Sequence, residues 1–252
     1  MLPTSLPDKL VVSPCSNPDM SLDEALAAYS RIGFTRFEVF TSWAKSAFDI
    51  HRDPAGYVEH GRRYGVSFAS MHLPPVGDDL ADSLDTAVRA ARFAEAIGAG
   101  AMLFKATSRP NYIRAAGRFL DATEGVQVTP VLQNHAGSPI SSLADFREVI
   151  EGIGDRRMKS LLEVGHFHAV GVGWREAADL LGDSVALVHT KDQIGPQSVP
   201  FGAGEIDLPA LFAHMRSVGY TGDYVVEMEV QDRQNTLRYL SDARRYILER
   251  CL

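Results

Sequence analysis

Eight times along the chain, a short run rich in β-branched and aromatic residues gives way to a helical pattern. "KLVVSPCS" precedes "SLDEALAAYSRIG", where Ser21 and Glu24 form a capping-box start and Gly33 supplies the stop. "RFEVFT" precedes "DPAGYVEHGRRYG", and "VSFASMHLP" precedes "LADSLDTAVRAARFAEAIGA". "AMLFKATS" leads to "NYIRAAGRFLDATEG", and "VQVTPVLQNHAG" leads to "SLADFREVIEGIG". The last three pairs start at "MKSLLEVGHFHAVG", "VALVHTKDQ" and "GDYVVEMEV" and end in "WREAADLLGD", "DLPALFAHMRSVGY" and "TLRYLSDARRYILERCL". No linker, low-complexity tract or charge block interrupts the series. Strands joined by helical crossovers imply a parallel sheet. Eight such units in 252 residues predict a single-domain (β/α)8 TIM barrel over residues 1–252. An open doubly wound sheet would carry a Gly-rich phosphate turn after its first strand, and "SPCSNPDM" contains no Gly.

Composition narrows the functional classes. The chain is 45% hydrophobic and 23% charged, as a globular protein is. A net charge of −7 leaves no basic footprint for nucleic acid or an anionic membrane. Cys15 and Cys251 sit at opposite ends of the sequence, so a disulfide framework is not expected and a reducing compartment fits. The start "MLPTSLPDKLVVSPC" lacks a basic segment followed by an apolar core, and no apolar run approaches the ~20 residues that span a bilayer. The expectation is a soluble cytoplasmic protein with no nucleic-acid or membrane partner, and homo-oligomerisation is left open.

In a barrel of this kind the active site lies at the C-terminal ends of the strands. Almost every predicted strand ends in a polar group after apolar ones: Glu38 on the second, His72 on the third, Lys105 on the fourth. The fifth offers Gln133, Asn134 and His135, and the sixth offers Glu163, His166 and His168. The seventh offers His189, Lys191 and Asp192, and the eighth Glu227 and Glu229, which share strand parity. Buried charges are costly unless paired or bound to an ion, so this convergence calls for a metal or a charged network. Gln133, Glu163, His189 and Glu227 together offer three oxygen ligands and one nitrogen. Such a set suits Mn²⁺, Mg²⁺, Co²⁺ or Zn²⁺.

Four segments resemble the xylose isomerase-like TIM barrels, which comprise sugar isomerases, epimerases and related dehydratases. "LQNHAG" is similar to that family's Glu-Asn-x-x-Gly, and "LLEVGHFHAVG" to its Asp-x-x-His-x-x-x-x-Gly. "VHTKD" with "PFGAGEID" resembles the His-x-x-Asp and Gly-x-Gly-x-Ile-Asp elements, and "GYTGDYVVEMEV" the segment ending in the last metal-binding Glu. The resemblance covers essentially the whole chain. It implies metal ligands at Gln133, Glu163, His189 and Glu227, and a substrate-contacting His at His166. Gln133 stands where Glu is usual and Glu163 where Asp is usual.

Epimerases of the family use the strand-5 and strand-8 carboxylates on opposite faces of the substrate, and a carboxamide cannot act as a base. The resemblance, with this departure, implies a metal-dependent sugar or keto-polyol isomerase working through Glu227, with Glu163 or Glu229 in reserve. The required acid is His166, His72 or Lys105. A 3-epimerase or a dehydratase/lyase is the alternative. Substrate contacts are expected from His72, Glu38, Trp43, His135 and Lys191. Lys105 either binds a substrate oxygen or pairs with Glu38, and Trp43 either stacks on a sugar or packs. Lys191 and Asp192 are expected to order the seventh loop, "FGAGEID" to serve loop geometry, and Cys15 to be a buried small hydrophobe. Two rivals remain: a nuclease of the endonuclease IV type, which this chain's loop after strand 7 and its charge oppose, and a non-catalytic sugar-binding barrel.

Overall fold

The computed structural model describes residues 5–251; residues 1–4 and 252, at the two ends of the expected domain, lie outside it. The barrel strands are β1 (Leu10–Val12), β2 (Arg36–Val39), β3 (Ser67–His72), β4 (Ala101–Leu103), β5 (Thr129–Gln133), β6 (Lys159–Glu163), β7 (Val185–Thr190) and β10 (Asp223–Val226). They form a closed parallel barrel in the order β1-β10-β7-β6-β5-β4-β3-β2, with β1 against β10 shutting it. The one departure from simple alternation is an antiparallel hairpin, β8 (Asp192–Ile194) and β9 (Gln197–Val199), within the loop after β7. No helix among the described residues is long and apolar enough to cross a membrane.

Helix boundaries follow local chemistry. Helix α1 (Leu22–Ile32) begins at Ser21, whose amide donates to Glu24 Oε2 at 2.8 Å, and it ends at Gly33 with φ 99°. Helix α8 (Leu208–Ser217) is capped by Asp207, the last residue of "FGAGEID". The short α6 (Val164–Ala169) starts directly at the end of β6, with Glu163 as its N-cap and the Gly165 amide donating to Glu163 Oε1 at 3.0 Å.

Two apolar layers result. Val11, Ala69, Ala101, Leu103, Val131, Leu161, Leu187 and Val225 form a cluster of their own inside the barrel, while alternate strand residues join the helices in the larger outer core. Counting two residues on from the inner layer reaches Lys105, Gln133, Glu163, His189 and Glu227, so strand parity sends all five toward the barrel mouth. Two register shifts complete the set. Phe37 and Glu38 pair with Phe68 and Ser70, leaving Ala69 extra in β3; Ser160 and Leu161 pair with Val185 and Leu187, leaving Ala186 extra in β7. A bulge re-aims the side chains beyond it. Here the two bulges turn Ser70 and His72 on one strand, and His189 on the other, toward the axis.

Candidate active site

Three side chains meet on the β6–β7–β10 side of the mouth. His189 Nδ1 lies 3.1 Å from Glu163 Oε2 and 3.0 Å from Glu227 Oε1, and the Glu163 and His189 side chains are fully buried. One ligand atom from each of Glu163, His189 and Glu227 falls within 4.8 Å of the others. Gln133 ends the neighbouring β5 and is buried. Asn134 clamps β5 to β6: its amide nitrogen donates to the Glu163 carbonyl at 3.3 Å and its oxygen accepts from the Glu163 amide at 3.4 Å. This clamp fixes the backbone that carries Glu163.

Lys191 completes this side. Its ammonium sits 2.6 Å from Glu227 Oε2 and 2.7 Å from Glu229 Oε2, and the side chain is 1% exposed. The stem passes over Gly165, where a Cβ would fall 2.2 Å from Lys191 Cγ, so only glycine fits there. Glu227 and Glu229 thus converge on one cation, although Glu229 stands at the rim with its side chain 42% exposed. Loop ordering, expected of Lys191 and Asp192 together, falls to Asp192. Its carboxylate accepts from the amides of Gly202, Gly204 and Ile206 at 2.8, 2.9 and 3.2 Å. A Cβ on Gly204 would lie 2.1 Å from Asp192 Oδ1, which explains the glycine-rich sequence there.

The β2–β3–β4 side is built differently. Glu38 is fully buried, with Oε1 accepting from Ser70 Oγ at 3.0 Å and lying 3.2 Å from His72 Nε2 and 3.1 Å from His189 Nε2. Its closest charged neighbours are these two imidazoles. Lys105 makes no ion pair with Glu38 within 4.0 Å. Its Nζ is 2.7 Å from His72 Nδ1. His166, on α6, is partly buried with its ring 3.8 Å from that of the exposed His135, whereas His168 turns away to Glu205 at 3.0 Å. Trp43 is 63% exposed and has φ 54°, rare for a bulky residue; its ring rests 5.1 Å from Phe40, which in turn lies 4.2 Å from His72. Cys15 is buried against Phe40 and Ala44, and burial, reinforced by Glu227 and Glu229, pushes its thiol well above the ordinary value. It is therefore a neutral packing group.

Electrostatics divide the mouth along the same line. Burial opposes charge on His189, but the Glu38 and Glu227 carboxylates outweigh it and hold the imidazole well above its ordinary value. Burial would raise Glu227, yet Lys191 and His189 keep it well below the usual carboxylate range. Lys191 is held charged in turn, its burial overcome by Glu227 and Glu163. On the other side, burial and the Lys105 ammonium push His72 down to about 4, and burial likewise takes His166 to about 4. Both rings are neutral at physiological pH.

A sequence model of the xylose isomerase-like TIM barrel family matches residues 26–249. No curated protein matches the chain in sequence. Among solved structures, the chain is similar to the IOLI protein with a bound zinc atom, at 13% identity over 96% of this chain and 98% of that one, with a TM-score of 0.77. It is also similar to D-allulose 3-epimerase from Methylomonas sp., at 16% identity over 96% and 97% of the two chains, TM-score 0.75. A third is the probable 3-DHS dehydratase AsbF from Bacillus anthracis, at 11% identity over 95% and 98%, TM-score 0.76. At these identities the likeness is one of fold.

Proposed function

Because the chain belongs to the xylose isomerase-like TIM barrel family, we propose that it is a divalent-metal-dependent isomerase of a sugar or keto-polyol, moving a proton through an enediolate. The observation that carries this reading is the convergence of Glu163 and Glu227 on the single nitrogen His189 Nδ1. One proton there serves two carboxylates, and one ligand atom from each of the three residues lies within 4.8 Å of the others, close enough to share an ion. Two carboxylate oxygens, an imidazole nitrogen and the Gln133 amide oxygen on the adjoining strand fit Mn²⁺, Mg²⁺, Co²⁺ or Zn²⁺. The zinc of the IOLI protein supports that assignment, and the epimerase and dehydratase among the similar structures support the class of chemistry.

When bound, the ion would polarise the substrate carbonyl and offset the charge that develops as the adjacent C–H proton leaves. Glu227 takes that proton. Lys191 at its other oxygen keeps it ionised and fixes its orientation. Gln133 has no basicity, so no carboxylate faces the substrate from β5, and a single base that returns the proton on the same face is the leading reading. Glu163 would hold the ion, and its Oε2 orients His189. Trp43 and His135 at the rim contact the substrate, with His72 below them. Lys191, being buried, acts on the substrate through Glu227.

Elimination, as in a dehydratase or lyase, is the second reading. It is favoured by Lys105, whose ammonium lies across the mouth beside His72 and is able to protonate a leaving hydroxyl. His166, expected from the sequence as an alternative acid, is held neutral by burial and is the weaker candidate for that role. The test is a screen of ketoses, keto-inositols and 3-keto-glycosides with Mn²⁺, run beside Glu227→Gln. Turnover is expected to fall about 10²- to 10⁴-fold in the variant. Deuterium from solvent appearing with inverted configuration at the substrate carbon would overturn the one-base order.

A further inference from the structure

Glu38 has no exposed surface, yet three groups gather on one of its oxygens: Ser70 Oγ at 3.0 Å, His189 Nε2 at 3.1 Å and His72 Nε2 at 3.2 Å. Neither ring N–H points straight at Oε1, but neither Nε2 has another polar partner among the described residues. The opposite nitrogen of each ring is also committed. His72 Nδ1 lies 2.7 Å from Lys105 Nζ, and His189 Nδ1 faces Glu163 and Glu227. An ammonium has only protons to give, so His72 Nδ1 is the acceptor and the ring's one proton belongs on Nε2. A divalent ion among Glu163, His189 and Glu227 imposes the same condition on His189, whose Nδ1 lone pair would then be the ligand. A carboxylate accepts and does not donate, so Glu38 selects the Nε2–H form of both rings at once.

We propose that Glu38 is the positioning residue of the mouth, a single buried oxygen that sets the tautomer of two histidines and presents one Nδ1 lone pair to the ion and the other to Lys105. The His189 half of this role rests on the ion site proposed above; the His72 half stands without it. The β3 bulge makes the arrangement reachable, because the extra residue Ala69 brings Ser70 opposite Glu38 and places His72 two residues beyond. A residue behind a metal-binding imidazole acts by fixing its orientation and basicity, and losing such a partner commonly weakens metal binding about 10- to 100-fold.

The test is Glu38→Gln, whose side chain keeps the shape but offers an N–H as readily as an oxygen. In the zinc-loaded wild type, long-range ¹H–¹⁵N NMR of the histidine rings is expected to show both His72 and His189 protonated on Nε2. In Glu38→Gln the His72 signal is expected to shift toward the Nδ1–H form, and the zinc dissociation constant, measured by chelator competition, to rise about 10- to 100-fold. Glu38→Asp keeps the carboxylate and is expected to retain the wild-type tautomers; it serves in place of Glu38→Gln if that variant does not fold. Zinc affinity of Glu38→Gln within twofold of wild type, or wild-type His72 protonated on Nδ1, would overturn the proposal. If the wild type binds no zinc, the ion site fails, and His72 in metal-free Glu38→Gln still decides the role of Glu38: a shift toward Nδ1–H relative to wild type supports it, and an unchanged Nε2–H form, as Lys105 alone would maintain, refutes it.

Discussion

The two sides of the barrel mouth solve the same problem of buried charge in opposite ways. On the β2–β3–β4 side, one carboxylate, Glu38, faces two imidazoles and a hydroxyl, and Lys105 is joined to it through His72. On the β6–β7–β10 side, two carboxylates crowd one imidazole nitrogen, and a fully enclosed lysine is drawn in to offset the excess. The first side gathers its donors on one oxygen, Glu38 Oε1, and leaves Oε2 without a hydrogen-bond partner. The second sets two carboxylates on one imidazole nitrogen, with one ligand atom from each of Glu163, His189 and Glu227 within 4.8 Å of the others, a spacing that a divalent ion can bridge.

Breaking the second side should therefore cost the most. Lys191→Met leaves Glu227 buried with His189 as its remaining cationic neighbour, and removing one partner of a buried pair typically costs about 3–5 kcal/mol. Urea unfolding of the metal-free protein is expected to show that loss as a lower midpoint at unchanged slope. Mn²⁺ should restore part of it, whereas a midpoint like wild type would mean that Lys191 is dispensable. Gly165→Ala tests the same pairing indirectly, since the new methyl occupies the path of the Lys191 stem. Overpacking of this kind costs about 1–3 kcal/mol, and here it should also lower turnover by displacing Lys191 from Glu227.

Gln133→Glu sharpens the contrast by adding a third carboxylate to the acidic side. Divalent-ion affinity is expected to rise about tenfold, as ligand charge increases, while the metal-free protein loses stability. Calorimetric titration with Mn²⁺ checks it, and a fall in affinity would place Gln133 away from the ion. The Glu38 side should respond less than Lys191→Met does. Ser70→Ala removes one donor from the buried Glu38 carboxylate and should cost about 1.5–3 kcal/mol in urea unfolding. A loss as large as that of Lys191→Met would erase the distinction between the two sides.

Much of this was legible in the sequence because it depends on local pattern. Alternating strand and helix runs gave the barrel, and polar residues after apolar strands marked the mouth, including Glu163, His189 and Glu227. What depends on pairing between strands was not legible. The bulges at Ala69 and Ala186 are register events between neighbours, and no run of residues in β3 or β7 announces them. The Asn134 clamp spans two strands, as does the inward turn of Lys191 over Gly165. Glu38 has the same strand-end position as the others, and β2 alone does not show that His72 and His189 from two other strands both close on its Oε1. The hairpin Asp192–Val199 escaped notice because its strands are three residues each and their sequence, "DQIGPQSV", reads as loop.

The claim on which the rest depends is that Glu163, His189 and Glu227, with Gln133, hold a divalent ion. Anomalous diffraction from crystals soaked in Mn²⁺ tests it most directly. The account predicts one strong peak in contact with Glu163, His189 Nδ1 and Glu227, absent from Glu163→Ala crystals treated alike. A wild-type map with no anomalous peak at those three side chains would contradict it.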